Sequence, residues 1–483
     1  MGSMRFSDER QIDMTLGTTA VPLRVAIIGS GPSAFYAAEH YLKSGLAVEI
    51  DMFERLPTPY GLVRGGVAPD HPKIKTVTKV YERTASNPNF RFYGNVEFGR
   101  DVTLDDLRAH YHQVVFAVGA QTDRRMGVPG EDLLGSHPAT EFVGWYNAHP
   151  DYRELQFDLS KEKVAVIGNG NVAMDVARIL ASTYDELVKT DIADYALEAL
   201  KQSQVKDIYV IGRRGPAQAA YTNPELKELG ELHDADVIVS PETAELDQLS
   251  REYVLGSGDR EAERNTQTLM RYSTQTPAGK TRRIHMLFLL SPTALFGTES
   301  VEAIELVKNE LYKADDGTLR PRATTEKFTL PVDLVFRSIG YKGVALPGVA
   351  FDERGGVIPN VQGRVINPAD KSVVAGQYAV GWIKRGPSGI IGTNKPDSQE
   401  SIDRALEDAK AGTTFTPASP DRTAVEALLR ERGVDFVSFA EWQKLDAAEL
   451  ANGAALNRPR VKFSRVDDML NVVHQQREPV TGD

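Results

Sequence analysis

The sequence predicts an α/β protein of two Rossmann-like units, each on a central parallel sheet, with the first unit interrupted by the second. Three observations predict it. Val25-Ala-Ile-Ile-Gly-Ser-Gly-Pro-Ser-Ala34 reads as a buried strand running into a glycine turn and a helix. Lys163-Val-Ala-Val-Ile-Gly-Asn-Gly-Asn-Val-Ala-Met-Asp175 repeats it, with Gly168, Gly170 and Ala173 at the spacing of Gly29, Gly31 and Ala34. Two later strands, 112–119 and 331–341, run into Gly119 and Gly340, as chains crossing between two units would.

In the first copy, Gly29 permits the tight turn, Gly31 lets a backbone approach a pyrophosphate, and Ala34 lets the helix pack close to its strand. A helix over 33–43 and a strand over 47–53 complete the unit and deliver Glu54, 25 residues past Gly29, where an acid can grip the hydroxyls of an adenosine ribose. Arg55 to Pro72 is too rich in Pro and Gly for a regular element and reads as a shaped loop. A helix from about Lys73 to Ala85 and short strands around Phe90 to Phe98 follow.

The second copy differs where it should decide specificity. Its next strand, 207–211, ends in Gly212-Arg-Arg-Gly-Pro216, with arginines in place of the acid. A guanidinium cannot accept from ribose hydroxyls but grips a phosphate, so this site should prefer NADP. The interval from Gly168 to Arg213 is 45 residues, well beyond the compact spacing, and the surplus, 184–204, is assigned to an inserted helix. A pattern of short strands and charged loops fills 236–326. The stretch 378–394 reads as a strand and glycine loop leading to a helix that begins near Asp397, whose N-terminus could stabilise negative charge on a reduced flavin ring. The tail from about Thr423 is helical.

Composition narrows the chemistry. The 483 residues contain no cysteine, which removes disulfides, a thiol nucleophile, a redox pair and a protein-bound iron–sulfur cluster. Redox chemistry must therefore rest on a bound organic cofactor. A net charge of −11 argues against nucleic acid as the main partner without excluding a local basic face. There is no apolar run long enough to span a membrane and no secretory signal, so a cytoplasmic setting is expected. Residues 1–22 read as a polar tail in which Met1-Gly-Ser-Met4 looks like a cloning remnant.

Four segments together resemble the adrenodoxin reductase-type ferredoxin-NADP reductases, including their bacterial FprA-like branch. They are Gly61-Leu-Val-Arg-Gly-Gly-Val-Ala-Pro-Asp-His-Pro-Lys-Ile-Lys75, the second glycine turn, Gly212-Arg-Arg-Gly-Pro216, and Gly381-Trp-Ile-Lys-Arg-Gly-Pro-Ser-Gly-Ile-Ile-Gly392. The resemblance runs from about Leu23 to Leu470. It implies a glutathione reductase-like pair of domains, noncovalent FAD, exchangeable NADP(H), and reversible electron transfer to an iron–sulfur ferredoxin. The expected division is 23–119 with 341–483 for FAD and 120–340 for NADP, in a monomer or weak dimer.

Position by position, the resemblance implies that Ser33, Glu54, Leu62, Phe98, Trp382, Gly389, Ile390 and Ile391 lie around FAD. Phe98 departs from the smaller aliphatic residue expected there. Asn169, Gly170, Asn171, Val172, Arg213, Arg214, Glu225 and again Gly389 fall to NADP. His71 and Asp175 would lie near flavin and nicotinamide, where His71 could orient or tune hydride transfer, and Asp175 could serve the chemistry or simply the helix dipole. Glu225 could also be an ordinary helix-start acid, and Glu228 could relay protons. Since ferredoxins are usually acidic, Arg264, Arg271, Lys280, Arg282, Arg283, Lys384 and Arg385 are candidate docking cations. Two other classes stay open: a flavin reductase with an organic acceptor, of quinone reductase or glutamate synthase small-subunit type, and a noncatalytic redox-sensing module.

Overall fold

The computed structural model describes residues 15–475 and 477; Met1-Gly-Ser-Met4 and most of the polar tail lie outside them. Among the described residues nine strands precede the middle of the chain: β1 (Leu23–Ile28), β2 (Val48–Glu54), β3 (Phe90–Gly94), β4 (Gln113–Phe116), β5 (Thr122–Asp123), β6 (Ser136–Pro138), β7 (Lys163–Ile167), β8 (Asp207–Ile211) and β9 (Ala235–Ile238). Then come β10 (Arg282–Leu287), β11 (Leu290–Phe296), β12 (Ala303–Lys313), β13 (Leu319–Pro331), β14 (Leu334–Arg337), β15 (Tyr341–Lys342), β16 (Asn360–Val361), β17 (Arg364–Ile366) and β18 (Val373–Ala379).

They form two main sheets. The first has the order β16-β17-β18-β4-β1-β2-β3, parallel from β18 to β3, and draws strands from both ends of the chain. The second, β6-β14-β7-β8-β10-β9, is parallel throughout. Strands β1 and β7 sit inside these sheets, and their stretches Val25–Ile28 and Val164–Ile167 read as unbroken apolar runs because both faces are covered. A two-stranded ribbon pairs β5 with β15 where the chain passes between the sheets, and β11-β12-β13 make a separate antiparallel sheet.

Four sequence expectations are corrected. The helix over 73–85 is broken into Pro72–Lys75 and Thr78–Ala85, at Thr76, whose hydroxyl turns back to the Lys73 carbonyl at 2.7 Å. The insertion at 184–204 holds two short helices, Tyr184–Leu187 and Asp194–Lys201. The helix expected near Asp397 begins at Asn394. Finally, 236–326 contains the helices Gln248–Gly256 and Arg260–Thr274 besides its strands. The second escapes the apolar pattern because its buried face is Ala262, Asn265, Thr268, Leu269 and Tyr272, largely polar.

Candidate functional site

Two glycine turns define the cradles. Gly29 and Gly168 close β1 and β7 at φ of +99° and +134°, a region that L side chains avoid. A Cβ would stand 2.6 Å from the Ala117 carbonyl oxygen at the first and 2.0 Å from that of Ser338 at the second. Gly31 and Gly170 then cap the helices Pro32–Leu42 and Asn171–Ala181 with no side-chain cap, and a Cβ on either meets nothing within 4 Å. Each helix therefore presents unsatisfied N–H groups to open space, the arrangement that receives a phosphate.

The ends of the next strands differ as the sequence says. Glu54 is half-buried at the end of β2; its Oε2 accepts from Ser30 N at 3.1 Å and Ser30 Oγ at 2.7 Å, and its Oε1 from Leu56 N at 3.1 Å. Arg213 and Arg214, past β8, are exposed, and neither guanidinium has an ion pair or hydrogen bond among the described residues. Their backbones are pinned by Asn309 Nδ2 to Arg213 O at 2.9 Å and Leu289 N to Arg214 O at 3.0 Å. Asn169 Nδ2 is buried without a partner among the described residues, and Asn171 Oδ1 accepts from Thr222 N at 2.9 Å.

Around the first cradle, Ser33 is buried, and Gly381, at φ +72°, passes so close that a Cβ would lie 2.5 Å from its hydroxyl. Trp382 Nε1 donates to Ser388 O at 3.2 Å and closes the loop that presents Gly389, Ile390 and Ile391; Ile390 is 61% exposed. Leu62 stands at the surface of the short Leu62–Gly65 helix. Phe98 packs edge-on against Phe116 at 5.9 Å, so its extra bulk is taken up by the core.

Between the two units the loop after Ala68 meets the second helix. His71 Nε2 shares a 2.8 Å hydrogen bond with Glu228 Oε2, and His71 Nδ1 lies 3.9 Å from both Asp175 Oδ1 and Glu225 Oε1. The hub is Arg178, one helical turn after Asp175. It reaches Asp70 and Asp175 at 2.6 Å, Glu225 at 3.1 Å and Glu228 at 3.6 Å. One buried cation facing four carboxylates leaves surplus negative charge away from water. Burial raises the Asp175 carboxyl even though Arg178 and His71 oppose it. Burial, with Asp175 adding to it, pushes Glu225 up to about 7. For Asp70 burial also works upward, but the hydrogen bonds and charge of Arg178 outweigh it and hold the carboxyl below its ordinary value. Sequence reasoning missed Arg178 and Asp70. Asp70 stood inside the loop already singled out, and Arg178 at i+3 from Asp175 was the available signal.

The chain is similar to known proteins along most of its length. Residues 23–210 match the family model described as pyridine nucleotide-disulphide oxidoreductase. NADPH-ferredoxin reductase FprA of Mycobacterium tuberculosis is 46% identical over 460 residues, covering 93% of this chain and 99% of that protein. The chain belongs to the FprA and adrenodoxin reductase family. Its human relative, mitochondrial NADPH:adrenodoxin oxidoreductase, is 41% identical, covering 93% of this chain and 92% of its own. The solved structure of M. tuberculosis FprA in complex with NADPH superposes with a TM-score of 0.87 at 44% identity, over 94% of this chain and all of that one.

Of the cations that the sequence offered as docking candidates, most are engaged within the protein. Lys384 is buried, with Asp397 at 3.1 Å and Glu400 at 2.7 Å, and Arg385 pairs with Asp397 at 3.3 Å. Arg283 forks onto Asp207 at 2.6 and 2.7 Å, Arg282 faces Asp234 at 3.7 Å, and Lys280 donates to the Leu232 carbonyl at 2.7 Å. Arg264 and Arg271, both on the exposed side of the Arg260–Thr274 helix, keep their charge free of acidic partners among the described residues. No helix among those residues is long and apolar enough to cross a membrane.

Proposed function

We propose that this chain is an NADPH-dependent ferredoxin reductase that moves electrons reversibly between NADPH and an iron–sulfur ferredoxin. Its cofactors are FAD and NADP(H). The observation that carries the reading is the pair of unlike cradles, one backed by the carboxylate of Glu54 and the other by the unengaged Arg213 and Arg214. The first suits ribose hydroxyls and the second a 2′-phosphate. The empty space before Gly31 and Gly170 and the orphaned Asn169 amide fit such ligands.

We assign residues 23–119 and 341–483 to the FAD domain and 120–340 to the NADP domain. Ser33, Glu54, Leu62, Phe98, Trp382 and the Gly389–Ile391 run hold FAD. Asn169 to Val172, Arg213, Arg214, Glu225 and Gly389 hold NADP. The FAD held there would supply the conversion between a two-electron hydride donor and a one-electron iron–sulfur acceptor. The protein's part is placement and charge. His71, steadied by Glu228, spans the joint between the domains, and Glu228, the more exposed carboxylate, can pass a proton between His71 and water. Arg178 holds Asp175 and Glu225 in register behind them. Each chain carries both cradles and the whole cluster, so a monomer suffices. Ferredoxin docks on the Arg264 and Arg271 face.

The deciding experiment is anaerobic stopped-flow mixing with NADPH, with NADH, and then with oxidised ferredoxin. Flavin bleaching that favours NADPH, followed by rapid reoxidation by ferredoxin, is the expected result. Bleaching without reoxidation by ferredoxin would point to an organic acceptor instead. Ferredoxin reduction should slow steeply with salt while reduction of a small neutral dye does not.

A further inference from the structure

The Arg260–Thr274 helix buries three polar side chains, and all three turn onto the short Asn223–Leu229 helix or the residue that leads into it. Asn265 Oδ1 and Thr268 Oγ1 accept from Asn223 Nδ2 at 3.1 and 3.0 Å, and Asn265 Nδ2 donates to the Tyr221 carbonyl at 3.1 Å. The Glu261 carboxylate accepts from the Asn223 backbone N–H. At the opposite end the Tyr272 hydroxyl reaches the Leu226 and Lys227 carbonyls, each at 3.3 Å. Gly230 makes room for it, since a Cβ there would lie 2.4 Å from that hydroxyl. A seven-residue helix with no side-chain N-cap cannot fix its own position, so these bonds at its two ends set it. Glu225 stands between them and Glu228 directly after Lys227, and these are the two carboxylates that meet Arg178 and His71.

We propose that the Arg260–Thr274 helix is the positioning element of the reaction site: Asn265, Thr268 and Tyr272 fix Glu228 against His71 and Glu225 against Arg178, and so set the rate of hydride passage. None of the three has a hydrogen bond to a cluster side chain, so they act through the helix they hold. The same helix carries Arg264, which lines one cleft with Glu228, Lys227 and Glu231. The surface offered to ferredoxin and the support of Glu228 are thus one rigid piece. The inference rests on the reading of the His71 cluster given above.

The test uses the FAD-loaded protein with Thr268→Val, Asn265→Ala and Tyr272→Phe, and Glu228→Gln as the benchmark. Two quantities are read: the rate of flavin reduction at saturating NADPH, and the titration of Glu225 by NMR of δ-13C-glutamate in the oxidised protein without nucleotide, assigned with Glu225→Gln. The groups facing Glu225 are His71, Asp175, Arg178 and Glu228. The expected result is a hydride rate reduced roughly ten- to a hundredfold in the clamp variants and in Glu228→Gln, with the Kd for NADPH nearly unchanged. The Glu225 midpoint should move down from about 7 as the carboxyl gains water, and Thr268→Ser should recover both quantities. Clamp variants that keep the parent rate and midpoint while Glu228→Gln is slow would overturn the proposal and leave the helix purely structural. A parent rate in Glu228→Gln would instead sink the reading of the cluster, and with it the claim on rate. Tyr272→Phe, which removes one oxygen and little volume, decides the matter if Asn265→Ala does not fold.

Discussion

At the scale of single residues the site is a problem of charge balance. Arg178 has a 3% exposed side chain and cannot lose its proton, so the surplus negative charge falls on the carboxylates around it. Glu225 gains its proton near pH 7 in the folded protein, against 4.5 ordinarily. The folded state therefore binds more protons across that interval, and stability falls as pH rises through it. Glu225→Gln should remove up to about 3 kcal/mol of that fall. Urea unfolding of parent and variant between pH 4.5 and 7 measures the difference, and identical slopes would contradict it. Arg213 and Arg214 make the opposite case, cations with no protein partner to lose among the described residues. Replacing both with alanine should lower kcat/KM for NADPH about 100-fold while leaving NADH use and stability nearly unchanged.

At the scale of elements, the two strand–turn–helix units depend on backbone that only glycine supplies. Gly168→Ala combines a strained φ with a Cβ 2.0 Å from the Ser338 carbonyl, and the clash is with backbone, which cannot swing aside. The expected loss is about 3 kcal/mol or more, confined to the second sheet and its cradle. Such a protein should still be yellow, yet its flavin should bleach slowly with NADPH and show a weakened Kd for NADP. Loss of FAD with NADP binding intact would be the contrary outcome. The Arg260–Thr274 helix shows a limit of pattern reading. Its polar inner face is stabilised by specific hydrogen bonds, so the apolar periodicity that announces a helix is faint there.

At the scale of the molecule, the tail ties the two units together. Residues after the Phe439–Ala455 helix run over the second unit. Arg458 donates to the Thr190 and Ile192 carbonyls, and Lys462 Nζ sits 3.4 Å from Asp191 and donates to the Asn147 and Arg64 carbonyls, each at 3.3 Å. Asp191 also takes both of its short bonds from Lys75, at 2.7 and 2.8 Å, in the helix just after His71. One buried carboxylate thus holds the loop and the tail at once. Asp191→Asn would take the nearest counter-ion from the buried Lys462 and the half-buried Lys75 and should destabilise the protein by roughly 3–5 kcal/mol. Denaturant unfolding followed by tryptophan fluorescence checks this, and a change under 1 kcal/mol would show that the tie carries little of the stability.

Read alone, the chain already carries the two glycine turns, the acid and the arginines at the ends of the next strands, and the lack of any cysteine chemistry. Those are local matters: a glycine that must take positive φ, an apolar run covered on both faces, an acid or an arginine at the end of the next strand. It also placed His71, Asp175, Glu225 and Glu228 on the page one at a time. Folding alone brings them together, because what joins them is Arg178, 108 residues from Asp70 in the chain and 47 from Glu225. It likewise decided that Lys384 is neutralised inside the protein while Arg264 remains outside, and that Lys462 reaches Asn147 across 315 residues. A charge's effect depends on which other charges and how much water surround it after folding, and chain spacing does not encode that.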